Sequence, residues 1–344
     1  MNGTRARALG YGLVFVVALA LPRVLYPGLA LDIILWGLFA VAVDLLLGFG
    51  GLLSFGHAAF WGAAGYVAGL AARRLDLAFP LAALLGTAAA IALALPIAYL
   101  SIRRQAIYFA MVTLAFAQMI YYLANEWRPV TGGENGLQGI PRLFPGLDLP
   151  SGSRAYYYAA LPLALFGYWL AYRVVHSPFG HVLVAVRDNE ARAQALGYPT
   201  RRYKLIAFVI SAGLAGLAGS LFALGHGFAA LELVHWTTSG IVVMMVILGG
   251  VGTLWGSVVG AAVVLFLRDW LSTSTLEVAG INLKDAWGVV TGVIFMVIVL
   301  SFRSGIWGTL VRLNPRLVRA ARPRALQARP DEAAPAVPEI ERGD

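Results

Sequence analysis

Asp44 is the residue whose type and position most suggest chemistry in this chain. It lies inside a long apolar run, residues 29–47, with Asp32 near the other end of the same run. A carboxylate within a membrane-spanning segment is costly, so it is a candidate for proton or sodium coupling. The alternative is that Asp44 lies near the end of its helix, at the membrane boundary or in contact with protein, since a single acid gives little support for a proton relay.

Two glycine-rich segments interrupt apolar runs and are candidates for a substrate pathway. The first, GFGGLLSFG, covers residues 48–56, and the second, GGVGTLWG, covers residues 249–256. Each glycine inside a helix costs about 1 kcal/mol relative to alanine, so both segments are expected to be broken or re-entrant. Paired interruptions in the two halves of a chain are typical of a weak inverted repeat around a substrate site, although small residues also serve close helix packing. The candidate pathway residues are Asp44, Gly50, Gly51, Ser54, His57, Gly249, Gly250 and Gly252.

The histidines do not form a recognisable metal site. His57 follows the first glycine segment, where it either lines the pathway or satisfies a backbone carbonyl that the break frees. His176 and His181 are five residues apart, and His226 and His235 flank a short turn, but none has a second ligand at zinc spacing. The sequence has no cysteine, which excludes disulfides and thiol-ligated metals. No Ser-His-Asp set in the apolar runs points to a membrane enzyme.

A nucleotide-binding P-loop is absent from the sequence. The motif G-x-x-x-x-G-K-[ST] requires a Gly-Lys pair, but the only two lysines, Lys204 and Lys284, follow Tyr203 and Leu283. If this protein takes part in ATP-driven transport, ATP and Mg²⁺ must be bound by separate subunits, and the chain itself is expected to carry no cofactor.

The composition predicts an all-α polytopic membrane protein. Of 344 residues, 60% are hydrophobic and 12% are charged, whereas a soluble domain has about 25% charged residues. Many apolar runs approach the length needed to cross a bilayer, and none alternates as barrel strands do, so we expect about 8–10 transmembrane helices. The first helix, residues 9–21, is expected to be an uncleaved span rather than a signal peptide, since further spans follow at once.

Basic residues set the expected orientation, because cytoplasmic loops carry an excess of lysine and arginine. Most of the net charge of +9 fits such flanks, so nucleic acid is not an expected partner. Arg73 and Arg74 fall outside and break the rule, and the orientation also requires residues 237–267 to form a hairpin. The expected order is a cytoplasmic N-terminus (1–8), a transmembrane domain (9–302) with an external loop (126–155) and a cytoplasmic loop (176–204), and a basic, then disordered cytoplasmic tail (303–344).

The cytoplasmic loop is the one long charge-rich segment between apolar runs. Within it, apolar residues from Val182 to Leu196 surround a polar cluster that begins at Arg187. Asp188 or Asn189 is a suitable helix cap, and Gly197 can end the helix. The pattern predicts a short helix at the membrane surface that docks another protein; the alternative is a solvated surface loop.

Several stretches of the chain resemble the membrane-spanning permease subunits of branched-chain amino acid ABC importers. The TGGENGLQGIP loop is similar to that of the longer, second permease type, and the resemblance covers about residues 30–308. The stretches that carry it are residues 50–60, 108–116, 131–142, 177–211 and 247–256.

The resemblance implies a type II importer in a bacterial or archaeal cytoplasmic membrane, surrounded by lipid. It implies a heterodimer with a homologous permease, two cytoplasmic ATPase subunits and a soluble binding protein, moving leucine, isoleucine and valine. Relatives that move urea, short amides or other hydrophobic acids leave the substrate open, and an ion-coupled carrier using Asp44 is the alternative mechanism. The implied ATPase-coupling residues are Arg187, Asp188, Asn189, Glu190, Arg192 and Gly197, and the implied binding-protein contacts are Thr131, Gly132, Gly133, Glu134 and Asn135.

The chain departs from the family pattern at three places on expected partner surfaces. Arg192 replaces an alanine, and Gly197 comes one residue late for the loop of related importers. Glu134 and Asn135 stand where Ser-Asp-like residues are expected, and His181 stands where an arginine is common. These departures leave the resemblance intact and bear on which partners the protein uses.

Overall fold

The structure, a computed structural model, describes most of the chain. The predicted N-terminal segment 1–8, the first part of the predicted helix 9–21, and most of the predicted tail 303–344 lie outside the described residues. The described residues are 18–104, 106–141, 143–144, 147–148, 154–273, 277–278, 281–282, 287–301 and 305–313.

Helices make up nearly all of the described regular structure. Three short antiparallel strand pairs join loops: β1 (Leu137–Gln138) with β4 (Phe228–Ala229), β2 (Leu143–Phe144) with β3 (Leu147–Asp148), and β5 (Glu277–Val278) with β6 (Ile281–Asn282). The helices are α1 (18–24), α2 (Pro27–Asp44), α3 (His57–Arg74), α4 (Phe79–Ser101), α5 (Ala106–Glu126), α6 (Arg128–Thr131), α7 (Arg154–Val175), α8 (Pro178–Asp188), α9 (Glu190–Ala195), α10 (Thr200–His226), α11 (Trp236–Gly249), α12 (Leu254–Thr273), α13 (Trp287–Ser301) and α14 (Gly305–Leu313).

Helices α2 and α10 form the centre of the bundle. In their most apolar windows 94% and 78% of the residues are buried, against 39% or less for the spans at α4, α5, α7 and α12. Apart from Asp32 and Asp44, helix α2 is apolar on every side, as expected of a buried helix. Helix α10 is rich in alanine and glycine, which lets neighbours approach closely: a Cβ on Gly219 would lie 2.1 Å from the backbone oxygen of Trp61 in α3.

Six described helices are long and apolar enough to cross a membrane, and two more apolar helices are shorter. Together with α3, this agrees with a polytopic α-helical membrane protein. The predicted spans 79–100 and 106–124 correspond to α4 and α5, and the stretch 237–267 is divided into α11 and α12 as expected. Two expectations need correction. Helix α10 begins at Thr200, inside the predicted loop, and α14 lies in the predicted basic tail, where Gly305 packs against Gly250.

Arg73 and Arg74, the two arginines that do not fit the excess of basic residues in cytoplasmic loops, make hydrogen bonds at one end of the bundle. The Arg73 guanidinium donates to the Gln138 carbonyl oxygen at 3.2 Å, and that of Arg74 donates to the Pro129 carbonyl oxygen at 3.1 Å. Both acceptors belong to the predicted external loop 126–155. The arginines therefore hold this loop against α3.

Candidate functional site

The charged loop contains the short helix that its sequence predicts, α9, and a second helix, α8, that comes before it. Helix α8 begins after Ser177, whose Oγ accepts from the Gly180 N–H at 3.3 Å. The chain then becomes extended at Asn189, whose Oδ1 accepts from the Arg192 N–H at 2.9 Å and caps α9. Of the two predicted caps, Asn189 is therefore the cap of α9, while Asp188 ends α8. Gly197 follows α9 with a φ of +87°, a conformation that favours glycine.

Helix α9 is fastened to the start of α10 by a partly buried ion pair. The Lys204 Nζ lies 2.6 Å from the Glu190 Oε2, with side-chain exposures of 10% and 26%. The Thr200 hydroxyl donates to the other Glu190 oxygen at 3.1 Å. Glu190, predicted as an ATPase-coupling residue, thus has an internal structural role, and Lys204 is a partner that sequence reasoning missed. The feature of the sequence that could have pointed to Lys204 is that it is one of only two lysines in the chain.

The substitution Glu190→Lys is expected to destabilise the protein by about 1–3 kcal/mol, between the values typical of exposed and buried pairs, because it places two cations together. Thermal unfolding of the purified protein measures this loss. The exchanged pair E190K/K204E restores an opposite-charge pair and should recover most of it. If Glu190→Lys alone were as stable as the wild type, the ion pair would contribute nothing to stability.

Arg187 points from the charged loop into the first glycine segment. Its Nη1 donates to the Gly48 carbonyl oxygen at 2.6 Å, while its Nε and Nη2 donate to the Asp188 Oδ1 at 2.9 and 2.7 Å. The stem of Arg187 lies on Gly51, where a Cβ would be 2.6 Å from the arginine Cγ. Gly51 also has a φ of +67°. The predicted coupling residue therefore joins the loop to the predicted pathway.

Gly48 lies in a π-helical turn, Leu45–Phe49, that follows the end of α2. Such turns are rare in proteins, and those that do occur are often found at functional sites. They shift the backbone hydrogen bonds of the helix out of register. The chain then runs without regular structure to His57, where α3 begins. The first glycine segment is thus a break between two helices, as predicted.

Asp44 joins the two glycine segments across the bundle. Its Oδ1 accepts from the Gly252 N–H at 2.7 Å. A Cβ on Gly48 would lie 2.3 Å from that nitrogen and 2.2 Å from the Asp44 Oδ1. Asp44 is fully buried, and within the described part of the chain its Oδ2 has no hydrogen-bond partner. The structure thus shows Asp44 in protein contact, and we call Asp44, Gly48, Gly252 and Arg187 the glycine junction.

His57 lies in a buried hydrogen-bond chain between α3 and α10. Its Nδ1 is 3.0 Å from the Ser54 Oγ and its Nε2 is 2.7 Å from the Ser211 Oγ, while Ser211 donates to the Ala42 carbonyl oxygen at 2.5 Å. The expectation that His57 itself satisfies a freed carbonyl is wrong in this detail, because Ser211 stands between them. Sequence reasoning missed Ser211, since its partners are more than 150 residues away in the chain.

The remaining pathway candidates make packing contacts. A Cβ on Gly249 would lie 1.9 Å from the backbone oxygen of Gly256, so these glycines let α11 and α12 cross closely. Gly250 meets Gly305 of α14, and Gly50 faces the Leu46 carbonyl of its own turn. Of the two interpretations of these glycines, close packing is the one that the contacts support directly.

The predicted binding-protein contacts divide into buried and exposed residues. The Thr131 hydroxyl is buried and can donate its one hydrogen to the Ala124 or the Trp127 carbonyl oxygen, which lie 2.5 and 2.9 Å away. It shapes the turn that contains Gly132 and Gly133, with φ of +82° and +62°. The two residues that follow, 134 and 135, are exposed and available to a partner. Among the residues that the structure describes, no group of three or more His, Cys, Asp or Glu comes together to hold a metal.

Comparisons with known proteins give one consistent family. A family model described as branched-chain amino acid transport system / permease component matches residues 26–299. The high-affinity branched-chain amino acid transport system permease protein LivM of Escherichia coli is 29% identical over 306 residues, which cover 78% of this chain and 71% of the relative. The probable LivM of Methanocaldococcus jannaschii is 26% identical over 240 residues, covering 67% and 68%.

Two further matches are a sequence match over a shorter part of the chain and a solved structure. The autoinducer 2 import system permease protein LsrC of Klebsiella pneumoniae is 34% identical over 142 residues, which cover 38% of this chain and 39% of the relative. Among solved structures, PsaBC from Streptococcus pneumoniae in complex with Fab has a TM-score of 0.44 and 16% identity, covering 83% of this chain and 93% of that chain.

Proposed function

Because this chain belongs to the family of permease components of branched-chain amino acid transport systems, we propose that it carries leucine, isoleucine and valine into the cell as part of an ATP-driven importer. It is a multi-pass protein of the bacterial inner membrane and a transporter subunit rather than an enzyme. Its partners are those of an ABC transporter. A homologous permease would complete the pore, two ATPase subunits would bind ATP and Mg²⁺, and a soluble binding protein would deliver the substrate.

The contact between Arg187 and Gly48 is the observation that carries the coupling mechanism. Helices α8 and α9 present an exposed polar surface, which we assign to the ATPase, and the Arg187 side chain leads from there to the glycine junction. A shift of α8 when ATP closes the motor would pull on the Gly48 carbonyl and so on the break between α2 and α3. The Asp44 contact passes the shift to Gly252 and the break between α11 and α12. Alternating access would follow from hinging at the two breaks.

Residues 134 and 135 support contact with the binding protein. They are exposed on a loop that β1 and β4 hold against the end of α10. This loop lies at the same end as Arg73 and Arg74, away from the charged loop. The two proposed docking surfaces, for the binding protein and for the ATPases, therefore lie at opposite ends of the bundle.

Uptake into proteoliposomes tests the proposal directly. Vesicles would contain this chain, its candidate permease partner and the ATPases, with ATP inside and leucine-loaded binding protein outside. We expect leucine uptake that requires ATP and survives an ionophore that collapses ion gradients. If a binding protein loaded with urea or a short amide stimulates ATP hydrolysis and leucine does not, the architecture stands and the substrate changes.

The same assay tests ion coupling through Asp44. The full burial of Asp44, with an Oδ2 that has no hydrogen-bond partner among the described residues, is the observation that favours this second mechanism. In an importer, Asp44→Asn keeps the Oδ1 acceptor for the Gly252 N–H, so uptake should remain close to that of the wild type. Uptake by this chain alone that the ionophore and Asp44→Asn both abolish would identify an ion-coupled carrier and contradict the importer.

A further inference from the structure

Three helices place buried hydroxyl groups at the start of α3. The Ser239 Oγ of α11 accepts from the Ala58 N–H at 2.8 Å, and the Thr113 Oγ1 of α5 accepts from the Phe55 N–H at 3.3 Å. Ser211 of α10 contacts the buried histidine that begins α3. All three hydroxyl-bearing residues are fully buried. Side chains from distant parts of the chain therefore hold the point where the first glycine segment becomes a helix.

Ser239 caps α3 from another helix. The first N–H groups of a helix have no partner within that helix, and Gly56, at the N-cap position, has no side chain that could accept from them. A buried N–H without a partner is costly, so such groups are almost always paired. Here the partner of the Ala58 N–H is Ser239, 181 residues further along the chain.

The Ser239–Ala58 hydrogen bond also joins the two helix breaks. Helix α3 begins after the first glycine segment, and α11 leads into the second. The hydrogen bond between Asp44 and Gly252 makes the complementary connection, from the end of α2 to the residues just before α12. The helix before each break is thus bonded to the chain after the other break, and the two bonds form a crossed pair.

We propose that Ser239 is a positioning residue for transport, which ties the start of α3 to α11 so that the two breaks move together. The proposal rests on the proposed function, in which the glycine junction passes a shift of α8 to both breaks. The Asp44 contact moves α2 and α12 as a pair, and the Ser239 contact moves α3 and α11 as a pair. Ser239 acts through α3 and needs no contact with the substrate.

The variant Ser239→Ala removes the acceptor for the Ala58 N–H. Leucine uptake per ATP hydrolysed, by the complete complex in proteoliposomes, should fall about tenfold, which corresponds to the loss of one hydrogen bond of ordinary strength. Stimulation of ATP hydrolysis by the loaded binding protein should persist, because the Arg187 contact and the charged loop are unchanged. Ser239→Thr keeps the Oγ acceptor and should restore uptake per ATP to nearly the wild-type value.

Ser220→Ala is the matched control. Ser220 is also fully buried, and its hydroxyl donates from α10 to the Ala64 carbonyl oxygen of α3 at 3.3 Å, further along the helix from the break. The variant removes a hydroxyl contact to the same helix, and uptake per ATP should stay unchanged.

Hydrogen exchange of segment 52–60 in the complete complex measures the bond itself. Ser239→Ala should speed exchange at the Ala58 amide within this segment about tenfold, because the N–H loses its acceptor. Ser220→Ala should leave the exchange of this segment as it is in the wild type.

The outcomes separate this inference from the proposed function. Wild-type uptake per ATP in Ser239→Ala, or an equal loss in Ser239→Thr or Ser220→Ala, would overturn the positioning role and leave the importer intact. Unchanged exchange in Ser239→Ala would overturn the bond on which that role depends. If the wild-type complex moves no amino acid with ATP, the proposed function fails and the role of Ser239 in transport fails with it, while faster exchange in Ser239→Ala would still establish the bond.

Discussion

Replacing Gly48 with alanine is expected to abolish uptake and to destabilise the protein by about 3 kcal/mol, the upper end of the usual cost of overpacking. The added Cβ would lie 2.2 Å from the Asp44 Oδ1 and 2.3 Å from the Gly252 nitrogen. Neither neighbour can yield easily, since one is backbone and the other is held by a hydrogen bond to it. The two glycine segments must therefore separate, which breaks the contact proposed to transmit movement between the two halves.

Gly240→Ala is the matched control for this experiment. Gly240 lies inside α11, and a Cβ at this position would meet no atom of the described residues within 4 Å. Alanine is the better helix former, so this variant should be as stable as the wild type or slightly more stable. Thermal unfolding and proteoliposome uptake of both variants make the comparison. A Gly48→Ala protein with wild-type stability and uptake would contradict the glycine junction.

Helix positions were predictable because the signals for them are local. A run of apolar residues defines a span, and a glycine cluster interrupts it, so α4 and the separation of α11 from α12 agree closely with expectation. In the charged loop, the cap at Asn189 and the end at Gly197 are local signals too, and they marked α9 correctly. Helix α8, which begins at Pro178, was not predicted.

Long-range contacts were beyond prediction from composition and spacing. Arg187 is a surface residue by its neighbours in sequence, yet it reaches a carbonyl 139 residues away. Asp44 reads as an isolated charge, and its partner is a backbone N–H 208 residues away. Both contacts depend on the breaks in the helices, which expose backbone groups that a sequence pattern does not reveal. The candidate residues could thus be named from the sequence, but which of them touch could not.

The substitution Arg187→Ala is expected to uncouple ATP hydrolysis from transport. It removes the hydrogen bond to the Gly48 carbonyl oxygen and the arginine stem that covers Gly51. Because the Arg187 side chain is 37% exposed, the fold should tolerate its loss with a modest decrease in stability. Leucine uptake should fall at least about tenfold, since a charged donor to this carbonyl typically contributes about 1.5–3 kcal/mol. ATP hydrolysis should continue without stimulation by the loaded binding protein.

Two comparisons separate this effect from a general loss of positive charge at the ATPase surface. Arg173→Ala removes an exposed arginine from the last turn of α7, just before the charged loop, and should leave coupling unchanged. Arg187→Lys keeps one donor on a shorter, more flexible group, so partial coupling is expected. If Arg187→Ala and Arg173→Ala reduce stimulation equally, Arg187 acts only as surface charge. If Arg187→Ala loses this stimulation and Arg173→Ala does not, while the ATPases still copurify, then docking has survived and only the coupling of docking to transport is lost. The signal then travels inward through the Gly48 contact.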